Sequence, residues 1–155
     1  METIFNQANY CFDFEFDFVE TWRCIPLCVR RKLDLIGLKL KLGHWLELNV
    51  LQRQQLVDWP DDASALEQLR KHLLSCTAKL VDGEAILLLP AKSEAWQNAA
   101  LVPEALVEEA VAREIVLDID RWASLNELER FALCKLVRPG HDHHNLAAAF
   151  SEVLG

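Results

Sequence analysis

The chain has few of the features that mark a nucleotide-using enzyme or an anchored protein. No glycine-rich phosphate loop, nucleophile elbow or dinucleotide fingerprint occurs in its 155 residues. The longest apolar run, AILLL at 85–89, stops at Pro90. That is far short of the roughly 20 residues a membrane-spanning helix needs. The first ten residues, METIFNQANY, have neither a basic start nor an apolar core, so a secretory signal is not expected. Reduced thiols and a cytoplasmic location follow as the expectation for its five cysteines, an odd number. Net positive charge is also missing. A formal charge of −8 argues against general nucleic-acid binding.

What is present describes a globular protein. Hydrophobic residues make up 52% and charged residues 26%, outside the range of disordered chains. The length suits one domain with a real core. Charge is segregated along the chain. Residues 1–20 carry five acids and no bases, whereas 21–53 carry seven bases against Asp34 and Glu47. Residues 104–129 carry eight acids against Arg113 and Arg121. Such blocks either form solvated faces that meet in space or present a basic patch to an acidic partner.

The stretch HWLELNVLQRQQL (44–56) returns as RWASLNELERFAL (121–133). At an offset of 77, Trp45 matches Trp122, Asn49 matches Asn126 and Arg53 matches Arg130, with Leu40, Leu48, Leu51 and Leu56 matched as well. Trp, Asn and Arg agreeing in one ungapped frame points to an internal duplication of a helix-turn-helix-like unit. Asn49 and Asn126 are suited to N-caps, with Gln52 and Glu129 three residues on to complete capping boxes. Helices are expected from about 50 to 59 and 127 to 137, stopped by Pro60 and Pro139. Each unit is entered through an alternating stretch, LKLKL at 38–42 and IVLDI at 115–119. Gly37 ends the preceding helix of the first unit, where the second has Glu114.

Elsewhere, FDFEFDF at 12–18 alternates as an extended segment would, with four Phe on one face and Asp13, Glu15 and Asp17 on the other. Pro26 suits the start of a helix to about Leu35, and Asp62 or Ser64 caps another to about Cys76. VDGE reads as a turn between short extended pieces. Pro103 opens a helix to about Arg113, and a last one covers about 146–154. The expected fold is mainly α: a single compact helical domain with the duplicated unit (about 24–60 and 103–139), a variable linker at about 77–102 and a few short extended segments.

Three constellations could carry chemistry. Cys24 and Cys28, four apart, would share a helix face as half of a metal or redox site, or act as small apolar residues. HDHH (His141, Asp142, His143, His144) could ligate a divalent metal, or form a polar turn before the last helix. The acid row Asp13, Glu15 and Asp17 lacks the glycine turn of a calcium loop.

The strings W-R-C-I-P (Trp22, Arg23, Cys24, Ile25, Pro26) and R-F-A-L-x-K-L-x-R-P-G-H (from Arg130, Phe131, Ala132 and Leu133 to Arg138, Pro139, Gly140 and His141) bring a family into view. The chain resembles the nitrate reductase-associated proteins of cyanobacteria and other bacteria, most closely at 14–59 and 113–145. Two departures stand out. The final motif continues as HDHHNLAAAF where the family usually has an Asn-rich stretch, and Cys28 replaces a usually apolar residue. The resemblance implies a non-enzymatic accessory or interaction protein for assimilatory nitrate reductase, a molybdenum and iron–sulfur enzyme. It carries over no catalytic residues and no cofactor of its own. The partner would be nitrate reductase or a maturation factor for it, not nucleic acid or membrane, and a homodimer is compatible with the Phe row. The partner surface expected is Trp22, Arg23, Arg30, Arg31 and Lys32 with Arg138 and His141. The alternative is a small metal-binding or redox protein using Cys24 and Cys28 with His141, His143 and His144.

Overall fold

The computed structural model describes residues 6–16, 20–138 and 144–155. Eight α-helices dominate the described residues: α1 (Leu27–Ile36), α2 (Leu42–Glu47), α3 (Val50–Asp58), α4 (Ala63–Thr77), α5 (Glu104–Ala112), α6 (Ile119–Ser124), α7 (Glu127–Leu136) and α8 (His144–Leu154). Two short strands, β1 (Leu38–Lys39) and β2 (Ile86–Leu87), pair antiparallel with Leu38 opposite Leu87. The fold is mainly helical, as its sequence periodicity implies. The chain divides into two compact units, one of Met1–Cys11 with Glu15–Lys92, the other of Phe12–Phe14 with Ser93–Gly155.

In the first unit, α1 buries Leu27, Cys28, Val29, Leu33 and Ile36. Its N-cap is Pro26, which offers no side-chain acceptor. The carboxylate of Glu15 fills that role, accepting the Leu27 N–H at 2.8 Å. A buried anion at a helix N-terminus is favoured by the free N–H groups and the helix dipole. Gly37 ends α1 in the left-handed region (φ 72), and a Cβ there would meet the Leu88 carbonyl oxygen at 2.6 Å. Glycine therefore serves both the cap and the close approach of the strand that follows Gly83. Asp62 caps α4 through the Ala65 N–H. Leu69 and Leu73 are buried, with Leu66 and Leu74 half-buried.

In the second unit, α7 supplies the core with Leu128, Phe131, Ala132 and Leu133, and α8 adds Leu146, Ala149, Phe150 and Val153. Glu152 on α8 accepts the backbone N–H groups of Asp13 and Phe14 at 3.0 and 3.1 Å.

The residues matched at offset 77 adopt matching geometry. Asn49 and Asn126 are both N-caps at φ −79 and ψ 171, each in a reciprocal capping box with Gln52 or Glu129. Leu40 and Leu117, Trp45 and Trp122, Leu48 and Leu125, and Leu56 and Leu133 are buried in both units. Glu114 sits at φ 56, the same left-handed turn that Gly37 makes.

Other expectations require correction. Residues 12–16 are not extended: Asp13–Glu15 form a 3-10 turn. Phe12 is buried, Phe14 is half-buried, Phe16 is 61% exposed, and Phe18 and Asp17 lie outside the described residues. The alternation fails because Glu15 turns inward to cap α1. IVLDI forms no strand, since Asp118 instead caps α6 through the Arg121 N–H. Trp45 and Trp122 stand on the short helices α2 and α6, one turn before the caps Asn49 and Asn126.

Urea titration should show Asn126→Ala losing about 1 kcal/mol and Trp122→Ala about 3–5 kcal/mol. Glu114→Gly should gain about 0.5–1 kcal/mol. Relief of a left-handed residue, about 1–2 kcal/mol, exceeds the added flexibility of the unfolded chain.

Candidate functional site

The residues that resemble family motifs converge on backbone carbonyls. In the first unit the indole N–H of Trp45 donates to the Trp22 carbonyl at 2.9 Å. Arg53 donates from Nε to the Trp45 carbonyl at 2.9 Å, from Nη2 to Leu46 at 2.8 Å and from Nη1 to Trp22 at 3.4 Å. Its guanidinium also lies 5.9 Å from the Trp45 ring centroid, within cation–π range. The second unit repeats the grip. Trp122 donates to the Asn98 carbonyl at 2.8 Å, and Arg130 donates to the carbonyls of Trp96, at 3.0 Å, and Leu125.

A tryptophan and an arginine thus hold a passing segment by its carbonyl groups in each unit. The held segments contain Trp22 and Trp96. Trp22 is half-buried at φ 58, uncommon for a bulky residue, with its ring 6.0 Å from that of Trp45. Trp96 is buried and meets Phe131 edge-on at 5.0 Å. Trp22 and Arg53 were thus legible as conspicuous residues, but the backbone they share was not.

The charges expected to face a partner divide into two groups. Arg31 is buried and bridges Asp61 at 2.9 Å. Lys32 is fully buried, its ammonium donating to the carbonyls of Leu56, Val57 and Trp59 at 2.6, 2.8 and 2.9 Å. These are carbonyls at the C-terminal end of α3, which lacks a glycine cap. Burial pushes the Lys32 pKa down to about 8, so the ammonium persists at neutral pH with all three donors in use. Arg31 and Lys32 therefore cannot form a partner surface, because both charges are spent within the unit. Arg23 and Arg30 are exposed, and each is anchored lightly: Arg23 to the Thr21 hydroxyl and Arg30 to the Ile25 carbonyl, both at 3.2 Å. Arg138 is exposed, and His141 lies outside the described residues.

The metal constellation does not come together in the described residues. Cys24 precedes α1 and Cys28 lies within it, so their spacing of four is not one helix face. Cys28 is buried, whereas Cys24 is half-buried. His141 and His143 lie outside the described residues, as does the side chain of His144. Among the described residues no three or more His, Cys, Asp or Glu gather as metal ligands would. His44 is fully buried with both ring nitrogens engaged. Its Nδ1 accepts the Lys41 N–H at 3.0 Å, so Nε2 carries the proton donated to the Gly83 carbonyl at 2.7 Å. An open groove of about 360 Å³ beside α1 and α4 is lined by Leu35, Ile36, Ala63, Leu66, Glu67, Arg70 and Pro90. It brings together no acid–base or nucleophile set.

One surface distinguishes the units. Leu51 is 81% exposed, whereas Leu128 at the matching position is fully buried. Gln54 and Gln55 are exposed where Phe131 and Ala132 are buried. Leu42 and Leu46, one turn apart on α2, and Val50 are exposed as well, as is Ile119 at the position matching Leu42.

Residues 11–153 match the family described as conserved nitrate reductase-associated protein. The chain belongs to that family. No curated protein and no solved structure matches it. No helix among the described residues is long and apolar enough to cross a membrane.

Lys32→Met should leave three carbonyls without donors and lower stability by about 2–4 kcal/mol in urea titration, while Lys39→Met on the exposed strand face stays within about 0.5 kcal/mol. Equal effects of the two would contradict the capping role.

Proposed function

We propose that the two units are copies of one helical scaffold, and that the protein is a non-enzymatic accessory factor that docks on nitrate reductase or on a protein that matures it. The family match over residues 11–153 carries this reading. The face that differs between the units is the docking surface. Leu42, Leu46, Val50 and Leu51 provide an apolar strip, and exposed runs of this kind commonly mark interaction sites. Arg23 follows Trp22, which is bound to the same α2 and α3 corner through Trp45 and Arg53. A cation beside an apolar strip suits a partner surface with apolar anchors and an acidic rim. Arg30 extends that positive edge, and Arg138 and His141 are proposed as partner contacts of the second unit by itself.

Pull-down of nitrate reductase from a cell extract should succeed at low salt and weaken as salt rises. Leu51→Asp should lower recovery at least tenfold and Arg23→Glu severalfold, with both variants melting like the wild type. Deleting the gene should lower nitrate reductase activity. Recovery unaffected by both substitutions, with full enzyme activity after deletion, would sink the proposal.

A further inference from the structure

The apolar run AILLL at 85–89 enters the core only at Ala85. Ile86, Leu87 and Leu88 are exposed, and Leu89 is 93% exposed. Side chains alternate along an extended chain, so Ile86 and Leu88 project to one face and Leu87 and Leu89 to the other. A strand apolar on both faces is the pattern of one buried inside a sheet, yet β2 has β1 as its one neighbour among the described residues. Its pairing with β1 uses one side. Leu88 donates to the Gly37 carbonyl at 2.8 Å, and Ile86 stands opposite Lys39. In that antiparallel register the N–H and C=O of Leu87 point away from β1. Leu89 has no hydrogen-bond partner among the described residues. The Thr77 hydroxyl, at the end of α4, accepts the Ala85 N–H at 2.8 Å, so the edge is closed up to Ala85 and open beyond it. No lysine, proline or other guard residue interrupts 86–89.

We infer that the open edge of β2 pairs with β2 of a second copy of this chain, antiparallel about a two-fold axis at Leu88. Leu87 and Leu89 then exchange N–H and C=O bonds with Leu89 and Leu87 of the second copy. Pro90, which has no N–H, falls opposite Ile86, where the register asks for none. The order of charges selects this occupant. Exposed Glu84 precedes the run and exposed Lys92 follows it, and neither forms an ion pair among the described residues. An antiparallel copy reverses that order, so Glu84 faces Lys92 of the second copy on both sides of the axis. Gly83 turns the chain at φ 74 and takes Asp82 out of the line. A foreign apolar strand could use the same backbone groups, but the charges match a second copy twice over. The contact is short, which places the dimer among weak, concentration-dependent assemblies. It shares no residue with the apolar strip of α2 and α3 and stands or falls separately from it.

Sedimentation velocity of the full chain should show monomer passing to dimer as concentration rises. Leu89→Lys, at a nearly fully exposed position, should raise the dissociation constant at least tenfold with an unchanged circular dichroism spectrum. Glu84→Lys and Lys92→Glu should each weaken the dimer severalfold, because like charges then face each other on both sides of the axis. An equimolar mixture of those two variants should regain wild-type association, since each chain of the mixed pair carries one sign at both positions. Leu51→Asp should leave the dimer unchanged. In the wild type, amide exchange at Leu87 and Leu89 should slow as the dimer forms, which tests the edge without any substitution. A chain that stays monomeric at the highest concentration overturns the inference. So does a dimer that Leu89→Lys leaves intact, a mixture no tighter than its single variants, or amides at Leu87 and Leu89 that exchange equally fast in monomer and dimer.

Discussion

Carbonyl groups left over at helix ends and bends have to find donors, and in this protein cationic side chains provide many of them. Lys32 serves the end of α3 with three N–H bonds, Arg53 serves the segment holding Trp22, and Arg130 serves the segment holding Trp96. A hydrogen bond from a charged donor is worth about 1.5–3 kcal/mol, against about 1 for a neutral one. Removing the donor is costlier still, because the acceptors remain buried. The placement of α1 against α3, and of each helix pair around its held segment, depends on these contacts.

That use of charge alters the meaning of the basic block at 21–53. Counted along the sequence it looks like a positive patch. In three dimensions Arg31 is neutralised by Asp61, Lys32 is enclosed, and Arg53 is occupied by three carbonyls. What remains outside is a smaller set, with Arg23, Arg30, Lys39 and Lys41 exposed. The acids behave likewise: Glu15, one of an apparent water-facing row, is buried against a helix N-terminus. Long charged side chains bury their stems and deliver their heads to backbone groups, which no charge count along the chain can register.

Legibility followed locality. The N-caps at Asn49, Asn126 and Asp62, the turn at Gly37 and most helix limits were readable because each depends on residues a few positions apart. The Trp and Arg pairs were readable as important, since they agree in one frame at offset 77. Their partners were not, since Trp22 and Trp96 approach through main-chain oxygen, which leaves no mark on residue identity. The spacing of Cys28 misled. Its neighbour at four positions, Cys24, was visible, yet Cys24 lies before α1 and does not share a helix face with it. FDFEFDF misled for a related reason: its alternation is real, but Glu15 is claimed by a helix end 12 residues away.

The two grips also set how the chain can collapse. The first closes loops of 23 and 31 residues, the second loops of 24 and 34. Closure entropy grows only with the logarithm of loop length, so ordering the chain costs nearly the same in both halves. Neither half has an entropic head start, and the order in which they form is left to side-chain packing. There the halves differ most, because α7 is sheathed on the face where α3 stays bare.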